Sequence, residues 1–302
     1  MLIELRYASD GAVYEYDREQ VAIDRLRMFE PIALSLSEDG YCLADSGGKD
    51  SGVIKRIAEK SGVKYEIVHN HTGLDHPETV YFVRREKARY EAMGIKYTVS
   101  MPGMSPWALM RKKGMPPTRL ARYCCAYLKE RGGVGKCVIT GVRWSESSAR
   151  ANNRGVMEVN TGKKGAGITL MNDNDKSRKE FETCPIKGNR IVNPIIDWQD
   201  TDVWEYTGKE NIPYNPLYDR GYKRVGCVGC PMGDNAKALE NNPKYKAMYI
   251  KTFQRIIDER KAKGSHAYGY QNGYECYLWW TQQIKLPVID DPQINMDIEE
   301  GD

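Results

Sequence analysis

Ser46-Gly47-Gly48-Lys49-Asp50-Ser51 follows the apolar run Tyr41-Cys42-Leu43-Ala44 and opens a helical pattern with Val53, Ile54, Ile57 and Ala58 on one face. A strand, a glycine turn and a helix start in that order make a cradle for an anion. The glycines let backbone N–H groups turn inward, and the helix N-terminus adds the positive end of its dipole. Lys49 supplies a mobile cation, and Ser51 is placed to cap the helix or bond a phosphate oxygen. The loop is not a Walker A loop, which needs four residues between its first glycine and the Gly-Lys-Ser/Thr end. The competing reading is an ordinary glycine-rich turn.

Strands and helices alternate on both sides of this loop. Helices are predicted over residues 17–29, 49–60, 77–93 and 106–129, with Gly94 stopping the third. Residues 65–68, 96–99 and 137–140 read as further strands. The alternation predicts an α/β fold, a parallel sheet with helices on both faces. Ligands of such sheets bind at the carboxyl ends of the strands. The glycine loop, residues 69–78 and residues 141–150 all follow strands and are expected to converge there.

Residues 152–190 are polar and rich in Gly and Asn, and read as an irregular insertion or hairpin. Order resumes at Asn193-Pro194-Ile195-Ile196-Asp197-Trp198, and residues 201–207 suit a short capped helix. Beyond Asp234 the pattern is helical. Tyr245, Met248, Tyr249, Phe253, Ile256 and Ile257 form one stripe, and Tyr277, Trp280 and Ile284 another. The expected organisation is a nucleotide-binding domain over residues 1–235 and a helical extension over 236–302 with an acidic tail.

The 302 residues include 28% charged ones and carry a net charge of +4, the profile of a water-exposed globular chain. No apolar run is long enough to cross a bilayer, and residues 1–10 lack a signal-peptide pattern, so a cytoplasmic protein is expected. Arg111, Lys112, Lys113, Arg119 and Arg122 crowd one stretch, either a solvated face or a contact for nucleic acid or nucleotide phosphate.

Eight cysteines in a reducing compartment are not expected to pair as disulfides. Cys42, Cys137 and Cys184 stand singly as packing residues. Cys124-Cys125 and Cys227-Val228-Gly229-Cys230 do not. A Cys-x-x-Cys turn sets two thiolates on one centre, and a second pair closes a four-sulfur site. Zinc is the default for two separated Cys-x-x-Cys pairs. Directly adjacent cysteines suit a larger cubane, whose corners neighbouring thiolates reach separately. A [4Fe–4S] cluster is therefore favoured over structural zinc, with a redox-active Cys227/Cys230 dithiol third. His69, His71 and His76 could ligate a metal, but line a nucleotide site or sit solvated in the preferred reading.

Together these residues resemble the phosphoadenosine-phosphosulfate reductase family of the PP-loop ATP-pyrophosphatase superfamily. The glycine loop matches its nucleotide loop. Thr72-Gly73 with Pro77-Glu78-Thr79 is similar to its segment after the second strand. Gly141-Val142-Arg143, with Glu146, Ser147 and Arg150, resembles its phosphate- or sulfate-binding segment. Residues 193–198, Asp202-Val203-Trp204 and 214–219 continue the likeness to Cys227 and Cys230, so that it spans roughly residues 40–235. The cysteine pattern resembles the cluster-bearing adenylylsulfate reductases and the sulfur-transfer enzymes of DNA phosphorothioation. Two departures stand out: the reductases' C-terminal Glu-Cys-Gly-Leu-His tail has only Tyr274-Glu275-Cys276-Tyr277 as its counterpart, and His71 stands where reductases tend to carry Asp.

The resemblance implies an enzyme that binds ATP or an adenylyl sulfonucleotide next to a [4Fe–4S] cluster on Cys124, Cys125, Cys227 and Cys230. Lys49 and Arg143 are the expected catalytic cations. Ser46 through Ser51, Thr72, Gly73, Gly141, Arg143, Glu146, Ser147 and Arg150 are the expected nucleotide contacts. The first expectation is ATP-dependent adenylation followed by sulfur transfer, with Mg²⁺ on the phosphates, a nucleic-acid acceptor, and an electron or sulfur donor protein as partner. The alternative is a reductase releasing sulfite and AMP, with Cys276 or a partner's thiol attacking. A non-catalytic nucleotide or redox sensor is the reading from another class.

Overall fold

The apolar run that precedes the loop becomes β3 (Tyr41–Ala44), and its Tyr41, Cys42 and Leu43 are all buried. A strand buried on both faces belongs at the centre of a sheet. In the computed structural model, which describes residues 2–7, 10–129, 133–160, 168–170, 189–265 and 269–285, β3 holds that position. The chain divides into two compact units, residues 1–70, 77–100 and 132–225 in the first, and residues 71–76, 101–131 and 226–302 in the second.

In the first unit β3 pairs in parallel with β4 (Tyr65–Asn70) on one side and β6 (Cys137–Ile139) on the other. Beyond β4 lies β5 (Tyr97–Ser100), also parallel. Beyond β6 lies β9 (Asn189–Val192), parallel again. The strand order β5-β4-β3-β6-β9 therefore reverses direction of travel at β3, between β4 and β6. The helices of this unit are α1 (Arg18–Leu36), α2 (Lys49–Ser61), α3 (Pro77–Ala92), α6 (Ser148–Asn153) and α7 (Asp200–Lys209). This is the expected α/β architecture. Its core gathers Leu43, Val53, Ile54, Ile57, Ile67, Ile139, Trp198 and their neighbours. Val53, Ile54 and Ile57 are fully buried, each stabilising the unit by roughly 1.5–3 kcal/mol. Gly62, in the left-handed region at φ 72°, ends α2.

The sheet is not wholly parallel. In the segment expected to be an insertion, β7 (Met157–Asn160) joins β9 antiparallel, and β8 (Ile168–Leu170) pairs antiparallel with β7. Cys184 lies outside the described residues. A hairpin of β1 (Ile3–Tyr7) and β2 (Val13–Asp17) precedes α1, and nothing in its short mixed pattern had announced it.

The second unit is helical. It contains α4 (Pro106–Lys113), α5 (Tyr123–Leu128), α8 (Asn235–Glu240), α9 (Pro243–Ala262) and α10 (Gly273–Trp280). The helical region expected over 106–129 consists of two helices, α4 and α5. Gly114 caps α4 in the left-handed region, and Pro116 and Pro117 cannot continue a helix. Tyr249, Phe253, Ile256 and Ile257 of α9 pack with Leu74, Met110, Val228, Cys276, Tyr277 and Trp280. Met248, expected in that stripe, is instead 45% exposed. The acidic tail lies outside the described residues. Among the described residues, no helix is long and apolar enough to cross a membrane.

Candidate functional site

The strand that reverses the sheet order also carries the glycine loop at its carboxyl end, which is where open α/β sheets bind ligands. Gly47 adopts φ 69°, and a Cβ there would come within 3.0 Å of the Thr79 methyl. Only glycine makes this turn without displacing α3. The loop's floor is Asp45. Its carboxylate accepts the Gly47 N–H at 2.7 Å, the Tyr97 hydroxyl at 2.6 Å and the Lys55 ammonium at 2.9 Å. Lys55 also reaches Glu86 at 2.7 Å. Burial opposes the charge on Asp45, but Lys55, Tyr97 and the Gly47 N–H hold its carboxyl well below the usual range. Lys55 is in turn raised above the usual ammonium value by Asp45 and Glu86, again against burial.

Ser51 Oγ donates to the Gly48 carbonyl at 2.8 Å, so it closes the first turn of α2. Ser46 Oγ accepts the Gly48 N–H at 3.3 Å. Gly48, as N-cap, brings no side chain to this helix end, and the Lys49 N–H donates to the Tyr218 hydroxyl at 3.0 Å. Asn215 steadies the far side, its amide donating to the Gly47 carbonyl at 3.3 Å and to Thr79 Oγ1 at 3.0 Å.

Lys49 and Arg143, the two expected catalytic cations, meet at this helix start through shared acids. Arg143 Nε bonds Asp50 at 2.8 Å, and its Nη2 bonds Asp200 at 2.9 Å. Lys49 Nζ lies 2.9 Å from the same Asp200 oxygen and 3.5 Å from Asp50. Both cations are buried, at 7% and 2% exposure. Burial disfavours the Lys49 charge, yet Asp50 and Asp200 raise its pKa. Gly141 follows β6 and packs on Asp50. Ser147 caps α6 by accepting the Arg150 N–H at 3.3 Å, and Glu146 pairs with the Arg150 guanidinium. Burial lowers the pKa of Arg150, and Arg224 and Arg154 add to that against Glu146 and Asp50.

Asp45, Asp200 and Lys55 were not among the residues expected from the sequence. Asp45 had one legible signal, an acid at a strand end directly before the loop. Thr72 and Gly73, expected as nucleotide contacts, belong to the second unit, where the Cys227 thiol donates to Thr72 Oγ1 at 3.5 Å. His69 Nδ1 lies 2.9 Å from the Asp45 carbonyl in the first unit, and His71 pairs with Asp75 at 3.0 Å in the second.

The second unit brings together all four cysteines singled out by spacing. Cys124, Cys125, Cys227 and Cys230 line one hollow with Leu74, Pro106, Leu109, Met110, Leu128 and Tyr249. Gly229 turns the Cys227–Cys230 segment at φ 74°, and a Cβ there would meet the Tyr249 ring at 2.9 Å. Arg122 Nη2 lies 3.7 Å from Cys125 Sγ. A hydrogen bond from Cys124 pulls the Cys125 thiol below its ordinary value against burial, and Arg122 and Lys129 add to the pull. Cys227, Cys125 and Cys230 push Lys129 up to about 12 against burial. The same hydrogen bond between Cys124 and Cys125 raises the Cys124 thiol, and burial raises that of Cys227.

Four thiols lining one hollow are a donor set for a metal centre. A tetrahedral zinc with Zn–S near 2.3 Å draws its sulfurs to about 3.8 Å from one another. Among the described residues, no three of these cysteine sulfurs lie mutually within 4.8 Å. Cys276 stands apart in character: 1% exposed on α10, with burial pushing its thiol up to about 12 against a Tyr270 hydrogen bond. In the basic stretch, Arg111 pairs with Glu259 and Arg119 donates to the Pro231 carbonyl at 2.9 Å.

Fold and site together define an α/β protein with a glycine loop at the turning point of its sheet and a cysteine-bearing helical unit. The chain belongs to the phosphoadenosine phosphosulfate reductase domain family, whose model matches residues 40–232. An uncharacterized protein of Methanocaldococcus jannaschii is 28% identical over 260 residues, covering 80% of this chain and 55% of that one. Adenosine 5'-phosphosulfate reductase 1 of Bacillus subtilis is 26% identical, covering 64% of this chain and 73% of its own. The chain spans about half the length of the first two relatives it matches, 55% and 45%. Among solved structures, the phosphoadenylyl-sulfate reductase of Candida auris in its phosphate complex aligns with a TM-score of 0.45 at 18% identity, over 74% of this chain and 96% of that one.

Proposed function

We propose that this chain is an ATP-using sulfur-transfer enzyme of the PP-loop type, with the nucleotide's phosphates on the α2 loop. The observation that carries the reading is the pair of buried cations, Lys49 and Arg143, set at an N-terminus that Gly48 leaves without a side-chain cap. In the proposed reaction an acceptor oxygen attacks the α-phosphorus of ATP. The bond to the bridging oxygen breaks, pyrophosphate leaves with its electron pair, and a sulfur nucleophile then displaces AMP from the adenylated acceptor. Lys49, Arg143 and the loop N–H groups would neutralise charge developing on the phosphates. Mg²⁺, where it takes part, would be held mainly by phosphate oxygens and water.

Cys124, Cys125, Cys227 and Cys230 would hold a [4Fe–4S] cluster, and Arg122 and Lys129 would balance the thiolate charge. When bound, the cluster supplies a centre that binds and polarises sulfur. A nucleic acid is the acceptor class that the Arg111–Arg122 stretch supports, and a soluble, cytoplasmic setting fits a reduced cluster.

The second reading is a sulfonucleotide reductase, favoured by the family and by the reductase relatives in Bacillus subtilis and Xanthomonas oryzae. It ranks second because Cys276, the chain's one counterpart of the reductases' attacking thiol, is buried in a helix core. Anaerobically purified protein separates the two. Pyrophosphate release from ATP, reduced about 10²- to 10³-fold by Lys49→Ala, is the expected result. Sulfite release from adenylylsulfate that Cys276→Ser abolishes would reverse the ranking. A full cluster without either turnover would favour a nucleotide or redox sensor.

A further inference from the structure

Asp200 is the odd member of the ion network at the loop. Its Oδ1 takes both Lys49 Nζ and Arg143 Nη2 at 2.9 Å, yet its side chain is 62% exposed while those of its partners are 7% and 3% exposed. It stands at the first position of α7 and is not needed to start that helix. The capping box there is made by Gln199 and Asp202, with the Gln199 N–H donating to Asp202 at 2.8 Å. Arg143 does not depend on it either. Asp50, Ser145 Oγ at 2.9 Å and the Trp198 carbonyl at 3.4 Å fix that guanidinium from other directions. Lys49 retains Asp50 at 3.5 Å. Asp200 thus sets one oxygen of an exposed carboxylate at the point where two buried cations converge.

We propose that Asp200 is a built-in competing anion that sets the charge threshold of this site. The inference rests on the phosphate-binding reading of the loop and names the ligand class the site selects. An incoming phosphoryl oxygen must displace Asp200 Oδ1 from both cations. A ligand with a single negative charge exchanges one carboxylate contact for an equivalent one and gains nothing. A di- or polyphosphate brings enough charge to win Lys49 and Arg143 and to engage the loop N–H groups as well. The displaced carboxylate moves into water on the exposed side of α7, which needs a side-chain rotation and no refolding. In the free protein the same contact keeps two buried cations from repelling each other.

The test is calorimetric titration of the full chain, purified without oxygen, with inorganic pyrophosphate in magnesium-free buffer. Wild type, Asp200→Asn and Lys49→Ala are compared, and thermal unfolding is followed to check that each is folded. Asp200→Asn keeps the size of the side chain and removes its charge, so the expected result is pyrophosphate binding about five- to tenfold tighter than wild type. Nitrate, a monoanion, should go from no detectable binding to weak binding in the same variant. If wild type binds pyrophosphate, Lys49→Ala abolishes it and Asp200→Asn binds no tighter or more weakly, the competition is overturned while the loop reading stands. If no form binds pyrophosphate, both fall.

Discussion

The loop region and the cysteine hollow solve opposite problems with charge. Around the loop every buried cation already faces an acid: Lys55 has Asp45 and Glu86, and Lys49 and Arg143 share Asp50 and Asp200. In the hollow, four thiols gather among apolar walls with Arg122 and Lys129 beside them. The first network is complete in the polypeptide itself, so its geometry exists before any ligand arrives. The second is a set of four sulfur donors whose charge a bound metal centre would settle. The lesson is that the first site should be broken by removing a charge, and the second by removing a ligand atom.

The largest effect is expected at the hollow. Cys124→Ala takes one sulfur from a four-sulfur set, and a centre bound at all four corners should then be lost as a whole. Iron analysis of anaerobically purified protein should show nearly full loss rather than a quarter. A colourless wild type with stoichiometric zinc would reject the iron–sulfur assignment.

Next in size is Lys55→Met. It removes the cation from two carboxylates that are 0% and 5% exposed, and fills the space with an apolar chain of similar length. An uncompensated buried charge of this kind costs about 3–5 kcal/mol. Urea unfolding should record that loss, and Lys55→Met with Glu86→Gln should recover part of it, because a neutral partner removes one stranded charge. Recovery would separate electrostatics from lost packing.

The same network predicts a pH profile. The folded Asp45 pKa lies below its unfolded value, so its contribution is present above about pH 3.9 and is lost as pH falls through the lower folded value. Lys55 runs the other way: raised in the fold, its contribution is present below about pH 10.4 and is lost as pH rises through the folded value. Between those limits the pair's contribution should be flat. Lys55→Met should reduce the acid sensitivity of stability, a smaller change than its cost at neutral pH.

These regions also differ in how far the sequence announced them. The strand, loop and helix from Tyr41 to Ser61 were legible because glycines, a buried run and helical periodicity all agree there. The four cysteines were legible by spacing alone. The floor of the loop was not. Lys55 sits in the middle of a helix that reads as a solvent-facing lysine, and only the fold brings it to Asp45 and to Glu86, which lies 31 residues away. Asp200 was hidden for the same reason, since its partners come from α2 and the turn after β6. The hairpin read into residues 152–190 is present as antiparallel β7 and β8, but its joining to β9 was not legible, because strands of three or four residues carry weak periodicity. Long-range charge pairing leaves almost no local trace, whereas turns and caps are written residue by residue.

The smallest effect is expected at Cys276, and that smallness is what makes it informative. It belongs to the buried cluster that includes Leu239, Phe253 and Trp280, is 1% exposed, and burial pushes its thiol up to about 12. At neutral pH it is protonated and closed to a substrate, so neither a thiolate nor an approach path is available. Cys276→Ala should therefore cost about 1 kcal/mol of stability through lost packing and leave turnover within about twofold. Alkylation mapped by mass spectrometry at pH 7 should leave Cys276 unmodified in the folded chain and label it after urea. Labelling in the folded state would mean that α10 opens under native conditions, and the packing argument that sets Cys276 apart from the four cysteines of the hollow would fail with it.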